Sequence, residues 1–546
     1  MQFSPSLQST IDRARSHGIG DLLWRSAQRV PAKTALVWRD RRHSYAEIDD
    51  AVNRTANALA ARGIGKGDRV ALLSHNNHAF VVLVFAAARL GAILVPVNFM
   101  LKAGEVAYLL GHSGAIALVV EDALVPVAQQ ALEQIAKESR HGVAPGQAIG
   151  AADPAVRLKA VIPDRGDPVP AGWENVDDWM NDADASRPEA AVGDDEPLQL
   201  LYTSGTESRP KGAALSSRNL VAQYVSCIVD GEMRGEDIEV HALPLFHCAQ
   251  LHCFLSPGLY LGATNILLPG ADPAALLAAI EAEQATKLFC PPTVWIALLR
   301  HPDFDRRDLS SLRKGYYGAS IMPMEVIREL SERLPDMRLF NFYGQTEMSP
   351  VATVLKPEDQ LRKLGSAGRA CINVETRIVD DDDQPVPAGT VGEIVHRGPH
   401  IMLGYWNDPD RTAEAFRGGW FHSGDLGVVD DEGYLRVVDR KKDMIKTGGE
   451  NVASREVEEV LYQHPAVAEA AVFGTPHPQW IEAVTAAIVC RAGSSVTSDE
   501  LIAHCRERMA GFKTPKRIVF VEALPKNASG KILKRELRQQ LATRTE

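Results

Sequence analysis

Leu-Leu-Tyr-Thr-Ser-Gly-Thr-Glu-Ser-Arg-Pro-Lys-Gly, residues 200–212, runs from an apolar strand into small hydroxyl and glycine residues and closes on Pro210, Lys211 and Gly212. Gly205 and Gly212 let the backbone turn and approach a bulky anion. Thr203, Ser204 and Thr206 offer hydroxyl donors, and Lys211 offers a flexible positive charge. That chemistry predicts a loop that holds phosphates. A Walker-type cradle fits poorly, because Pro210 stands where it needs glycine and Gly212 where it needs Ser or Thr. Surface turns use the same residue types, so the sequence on either side has to decide.

Working outward, 546 residues are too many for one compact core; they point to roughly three or four domain-sized units, with room to bury a large pocket. Apolar residues at 45% and charged residues at 24% are ordinary globular proportions and argue against a disordered chain. Lys plus Arg number 59 against 70 Asp plus Glu, a balance of -11 with no basic block, which argues against a nucleic-acid partner. The seven scattered cysteines form neither a disulfide framework nor paired metal-ligand spacing, so a cytoplasmic location is expected. Residues 1–20 are polar and lack the apolar core of a signal peptide. Residues 242–270 carry no Asp, Glu, Lys or Arg, but Pro244, Pro257, Pro269 and several glycines break them up. A spanning helix needs ~20 mostly apolar residues in one piece, so this stretch reads as buried core and pocket wall and no transmembrane segment is expected. Contact with a membrane surface and a homodimer are both left open.

Upstream of the loop the pattern alternates. Ser44 to Glu47 has a capping-box arrangement, with Ile48, Val52, Ala56 and Leu59 at helical spacing behind it and Gly63 and Gly65 at the end. Strands over 69–74, 92–97 and 115–120 then alternate with helices over 79–90 and 105–110, which predicts a layered α/β domain with a largely parallel sheet. Residues 145–196 lose the period and read as a long surface connection with some short elements.

Downstream, residues 339–347 read Leu-Phe-Asn-Phe-Tyr-Gly-Gln-Thr-Glu: an apolar strand ends at Tyr343 and Gly344 and delivers Thr346 and Glu347 into a loop, where open α/β sheets place ligand-binding groups. A ring, a hydroxyl and a carboxylate suit a base, a phosphate and Mg2+; the plainer alternative is a capped helix start with a solvated Glu. Gly-Trp-Phe-His-Ser-Gly-Asp-Leu-Gly at 419–427 follows, then Asp-Arg-Lys-Lys-Asp at 439–443 and Ile-Lys-Thr-Gly-Gly-Glu-Asn at 445–451. Taken singly these are turns and solvated charge runs. Ser454 suits the N-cap of a helix over 455–462. Strands over 468–473, 483–490 and 518–521 and a helix over 499–509 then make a compact α+β unit ending in a polar loop that holds Lys531.

Each cluster is weak alone, but their order along one chain, from about residue 44 to 536, resembles the motif series of the adenylate-forming superfamily, in its acyl-CoA synthetase and acid–CoA ligase branch. The resemblance implies a large N-terminal layered α/β adenylation domain over 1–439, a hinge over 440–442 centred on Lys442, and a small mobile α+β domain over 443–546. It implies ATP, Mg2+ and coenzyme A as cofactor and co-substrates and a small carboxylic acid as partner. Thr203, Ser204, Gly205, Thr206 and Lys211 would hold pyrophosphate. Gly318, Ala319, Ser320, Asn341 and Tyr343 would surround adenine, with Gly344 also among the nucleotide-binding residues. Asp425 and Arg440 would hold the ribose hydroxyls, Thr346 would touch the α-phosphate, and Glu347 would hold Mg2+. Lys531 would bridge the carboxylate and the phosphate during adenylation, His247 would orient the carboxylate or gate its entry, and Lys446, Gly448 and Gly449 would later line the path of the thiol arm.

Two departures stand out. Glu207 and Ser208 occupy positions where the family usually has Thr or Ser and then Gly, so a loop tip facing water is expected, with Glu207 turned off the phosphates. Ser454 replaces a common family proline. The wall candidates Cys248, Ala249, Leu251, His252, Cys253 and Tyr317 are small or apolar and include no Lys or Arg, which favours a monocarboxylic acid, medium- or long-chain fatty acids first and aryl or steroid-side-chain acids behind. An acyl-AMP ligase loading a carrier protein keeps the same fold. A P-loop kinase or ATPase, or a nucleotide-binding protein without turnover, are the readings from other classes.

Overall fold

The computed structural model describes residues 4, 7, 10–11, 14–15, 17–140, 156–203, 210–320, 322–447, 450–527 and 531–542. Among them are two large sheets whose central strands are apolar on both faces, as parallel strands covered by helices must be. The first has eight strands, with Ile93–Val97, Arg69–Leu73, Ala117–Glu121 and Leu158–Ile162 parallel at its centre, and Pro197–Thr203, Lys211–Ser216 and Gly404–Tyr405 toward one edge. The second has nine, running from Arg369–Ala370 through Val351–Leu355, Arg338–Gly344, Lys314–Gly318, Lys287–Phe289, Ile238–His241, Thr264–Leu267 and Thr34–Trp38 to Arg41–Ser44.

Alternation along each strand builds the layers. Val70 and Leu72 join a core shared by both sheets, whereas Ala71 and Leu73 face a separate outer core with Val106, Leu110 and Ala131. The helix His78–Leu90, buried at all but one of its positions, belongs to the shared core, as expected of a helix that is apolar all round. Helices Pro273–Glu283, Pro292–Arg300 and Met324–Arg333 cover the outer face of the nine-stranded sheet, giving helix–sheet–helix–sheet–helix layering. The capping box holds: Ser44 accepts from the Glu47 amide, and the helix runs Tyr45–Ala61.

The irregular stretch at 145–196 contributes more than a surface connection, because Leu158–Ile162 enters the eight-stranded sheet with Ala160 and Val161 fully buried. A four-stranded antiparallel sheet, Glu375–Val379, Gly392–Arg397, Phe421–Val429 and Leu435–Arg440, follows the large layers. Its strands are separated by glycine- and Asp-rich turns that hide their period. The smaller α+β domain is a fourth, five-stranded sheet of Ile445–Thr447, Glu450–Val452, Val467–His477, Ile481–Cys490 and Arg517–Phe520, backed by Ser454–Tyr462 and Ser498–Arg506 with a core of its own. Ser454 is not the N-cap expected of it. It is the first helical residue, and its amide and hydroxyl are both given to Asp439. No helix among the described residues is long and apolar enough to cross a membrane, and all seven cysteines are free.

Candidate active site

The site forms where strands of both large sheets end and the small domain closes over them. Thr203 is the last residue of Pro197–Thr203 and pairs with Lys211, the first of Lys211–Ser216, so the phosphate loop joins two antiparallel strands. Ser204, Gly205, Thr206, Glu207 and Ser208 lie outside the described residues, as do Gly448 and Gly449. The Lys211 ammonium sits 5.1 Å from the centre of the Tyr405 ring, and the Tyr405 hydroxyl donates to Glu347 Oε1 at 2.9 Å. Burial, and then the Glu347 carboxylate, push the Tyr405 phenol well up, so it stays a donor.

Gly318, Ala319 and Ser320 follow the strand Lys314–Gly318. A Cβ on Gly318 would stand 2.4 Å from the Phe342 carbonyl oxygen, so only glycine lets the adjacent strand Arg338–Gly344 approach this closely. Ala319 holds a left-handed backbone at φ 63°, and with Ser320 is exposed at the strand end. Gly344 is under the same constraint, since its Cβ would fall 1.9 Å from the Pro350 carbonyl oxygen. Asn341 donates to the Ser366 carbonyl at 3.1 Å. Tyr343 donates to Asp425 Oδ2 at 2.8 Å, and Arg440 lies 3.3 Å from the other Asp425 oxygen, across the paired strands Phe421–Val429 and Leu435–Arg440.

Lys531 comes to this cluster from the small domain. Asn527 fixes its loop, taking the Lys531 amide on its Oδ1 at 2.8 Å and giving its own amide to the Lys531 carbonyl at 2.9 Å. Burial, and then Arg440, push the Lys531 ammonium down to about 8, while Asp425 works against them. Burial, and then the charge of Lys531, push His247 down to about 4, so the imidazole is neutral near pH 7. Lys442, in the turn after Arg440, is pushed down to about 8 by burial and then by Arg440, with a smaller push from Lys211. Arg440, Lys442 and Lys531 thus gather around Asp425, and Lys211, beside Tyr405, is within electrostatic reach of Lys442, an excess of positive charge suited to a polyanion. Lys446, by contrast, is exposed on Ile445–Thr447, and its amide donates to Glu482 at 2.8 Å.

Thr346 opens the short turn Thr346–Met348, with its hydroxyl 3.2 Å from Cys248 Sγ, and Cys248 is next to His247. Ala249–Leu255 is a wide helical turn, of the kind found at many functional sites. Both His252 nitrogens are engaged, by the Tyr224 hydroxyl and by Gln199 Oε1, each at 2.7 Å, and burial pushes the ring down to about 3. Tyr317 is not part of this wall. Alternation along its strand turns Tyr316 into the shared core and Tyr317 into the outer one, where it donates to Gln360 at 2.9 Å. Sequence reasoning missed Tyr405 altogether; a tyrosine after Gly404, which holds φ 149° where its strand pairs with Ala214, is the one local signal.

The sequence matches the family model for the AMP-binding enzyme over residues 23–406 and that for the AMP-binding enzyme C-terminal domain over 456–531. It is 38% identical over 526 residues to a feruloyl-CoA synthase of Amycolatopsis, covering 96% of this chain and 99% of that protein. It is 34% identical to a long-chain-fatty-acid–CoA ligase of Mycobacterium tuberculosis, covering 92% and 93%. Among solved structures, an anthranilate CoA ligase in complex with anthranoyl-AMP superposes with a TM-score of 0.85 at 29% identity, over 96% of this chain and 97% of that one. The chain therefore belongs to the AMP-binding enzyme family, as an acid–CoA ligase of the adenylate-forming superfamily, an AMP-forming enzyme that makes carbon–sulfur bonds.

Proposed function

We propose that this ligase activates a hydrophobic monocarboxylic acid in two steps, in the roles the motif series implies. In the first, a carboxylate oxygen attacks the α-phosphorus of ATP and the bond to the bridging oxygen breaks, releasing pyrophosphate and leaving acyl-AMP. In the second, the CoA sulfur attacks the acyl carbon, AMP leaves with the bonding pair, and the thiol proton passes to solvent. The observation that carries the reading is Lys531, brought from the small domain to within electrostatic reach of both His247 and Arg440.

An anion must approach a polyanion in the first step, and two unit charges ~4 Å apart repel by roughly 4 kcal/mol at an effective dielectric near 20. Lys531 offsets that repulsion by bonding to both partners at the point of attack. Neutral His247 orients the carboxylate without adding charge, and Thr346 donates to the α-phosphate. Lys211 with Thr203 holds the departing phosphates, and the Tyr343–Asp425–Arg440 group fixes the nucleoside. Glu347 suits a magnesium ion: one buried carboxylate, held by Tyr405 from one oxygen, would be the protein's share of such a site, with substrate phosphates supplying the rest. When bound, that ion neutralises phosphate charge. Residues 1–439 and 443–546 then act as two bodies about a hinge at 440–442, and rotation at Lys442 withdraws Lys531 and brings Lys446 toward the site.

For the acid we put aryl acids first, revising the sequence expectation of fatty acids; the similarities to a feruloyl-CoA synthase and an anthranilate CoA ligase support this, and the 34% similarity to a long-chain ligase supports a fatty acid as the second reading. Product analysis with ATP, Mg2+ and a panel of aryl and fatty acids, each with and without CoA, tests the whole reading. AMP, pyrophosphate and an acyl-CoA are expected. ADP or free phosphate as product overturns it, and acyl-AMP that accumulates despite CoA shifts it to carrier loading.

A further inference from the structure

Ser454 is completely buried at the first position of the helix Ser454–Tyr462. Its amide and its hydroxyl both donate to one oxygen of Asp439, at 2.6 and 2.8 Å, and its hydroxyl oxygen accepts from the Lys534 ammonium at 2.6 Å. Lys534 also pairs with Glu458 at 2.8 Å. The polarity is consistent along the whole chain of contacts: ammonium to hydroxyl, hydroxyl to carboxylate. A carboxylate at a helix N-terminus is favoured in its own right, so Asp439 caps the helix from outside.

What matters is where these partners lie in the chain. Asp439 is on Leu435–Arg440, before the turn that holds Lys442; Ser454, Glu458 and Lys534 all come after it. Lys534 opens the helix Lys534–Ala542, three residues beyond Lys531. A turn about Lys442 leaves Ser454, Glu458 and Lys534 moving together but separates Asp439 from Ser454. The joint that must break is therefore the pair of bonds on Asp439, supported by Arg455, which reaches back to the Val437 carbonyl. Breaking it strands a buried carboxylate and a buried hydroxyl, the costly side of hydrogen-bond exchange.

We infer that Ser454, with Asp439, is a positioning residue for the first half-reaction: the joint holds the small domain in the orientation that keeps Lys531 in the cleft, and it releases for the second. This rests on the two-step reading above. Proline has neither the amide hydrogen nor the hydroxyl, yet it is well accommodated at the first position of a helix. Ser454→Ala therefore removes the hydroxyl bond to Asp439, and the Lys534 contact with it, and Ser454→Pro removes the amide bond to Asp439 as well, with the helix start kept.

The test uses the full chain in single turnover, scoring acyl-AMP and pyrophosphate formation without CoA separately from thioester formation from synthetic acyl-AMP and CoA. Ser454→Ala should slow the first step by roughly tenfold, the weight of one hydrogen bond to a charged group, and Ser454→Pro by more. The second step should be unchanged or faster in both. Parallel losses in the two steps, or an unchanged first step in Ser454→Pro, overturn the joint. Hydrogen exchange in the segment that carries Lys531 gives a readout independent of turnover. It should be faster in Ser454→Ala than in the parent protein, and equal exchange overturns the inference. If the parent protein forms no AMP from any acid, the two-step reading itself fails; an active parent with unshifted variants removes only the joint.

Discussion

Replacing Lys531 by alanine separates the two half-reactions most sharply. The side chain is the small domain's cation in the cleft, close enough to His247 and Arg440 to act on both. A unit charge ~4 Å from a developing phosphoryl charge is worth roughly 4 kcal/mol at an effective dielectric near 20, and water entering the space left by the side chain recovers part of that. A net loss of about 3 to 4 kcal/mol corresponds to a first step slowed by roughly two to three decades, the range seen when one preorganised donor to a developing oxyanion is removed. The assay is pyrophosphate release in single turnover, with thioester formation from synthetic acyl-AMP as control. The control should keep its rate, because in the proposed cycle Lys531 leaves before the thiol reaches the acyl carbon. Unchanged pyrophosphate release in Lys531→Ala refutes the role, and so does an equal loss in both steps.

The pH dependence follows from the same lysine. Its ammonium in the empty site is pushed down to about 8, below the ordinary lysine value, so the neutral form takes over as pH rises past 8 and the cation is lost. First-step kcat/KM for ATP should fall by about tenfold per pH unit above that point. Lys531→Arg, whose guanidinium stays charged, should lose that limb; an identical profile in the arginine variant assigns it elsewhere. Tyr405→Phe removes the hydroxyl that holds Glu347 at 2.9 Å, so the magnesium concentration for half-maximal rate should rise by roughly tenfold. An unchanged magnesium requirement would show that Tyr405 does not set the carboxylate. Ile481 is 68% exposed yet holds φ 69° in a strand pair, a conformation a β-branched side chain resists. Ile481→Gly relieves strain of about 1–3 kcal/mol against a chain-entropy cost of roughly 1 kcal/mol, so the denaturant midpoint of the small domain should rise. A lower midpoint would mean the Ile481 side chain packs against more than its exposure indicates.

The parts of the fold carried by local chemistry were legible. The Ser44–Glu47 box starts the helix it signals, and the strands and helices between residues 69 and 121 fall within a few residues of their expected bounds, because periodicity and capping are properties of neighbouring residues. What failed depends on distant partners. Leu158–Ile162 is as long as the strands that were read, but it lies in a stretch without a period, and its place in the sheet comes from pairing with Ala117–Glu121. The four strands between 375 and 440 are ordered by antiparallel pairing across glycine turns. Tyr317 looked like a wall residue because its neighbours do, but only the register of its strand says which face it takes. Ser454 read as a cap because serine usually is one; the carboxylate that engages it lies 15 residues earlier, beyond any local window. Tyr343, Asp425 and Arg440, proposed to hold the nucleoside, are far apart in the chain, and it is the order of motifs, not the chemistry of any one of them, that grouped them; the structure brings them into contact.

The charges of the cleft bear on what opens it. Lys211, Arg440, Lys442 and Lys531 outnumber Asp425 and Glu347, and the low proton affinities of Lys442 and Lys531 are the mark of cations buried near one another. ATP brings the missing negative charge and favours closure. Once pyrophosphate has left, acyl-AMP carries a single phosphate charge, and the cations are again in excess. Their repulsion then favours withdrawal of Lys531, the one of the four that the proposed hinge motion would carry away. On this argument the first product, while it is bound, holds the enzyme closed against the second step. Added pyrophosphate should therefore slow thioester formation from synthetic acyl-AMP by more than the ATP it regenerates accounts for, and that excess should vanish in Lys531→Ala. If the excess persists at full size in the alanine variant, pyrophosphate acts elsewhere and its departure does not drive the opening.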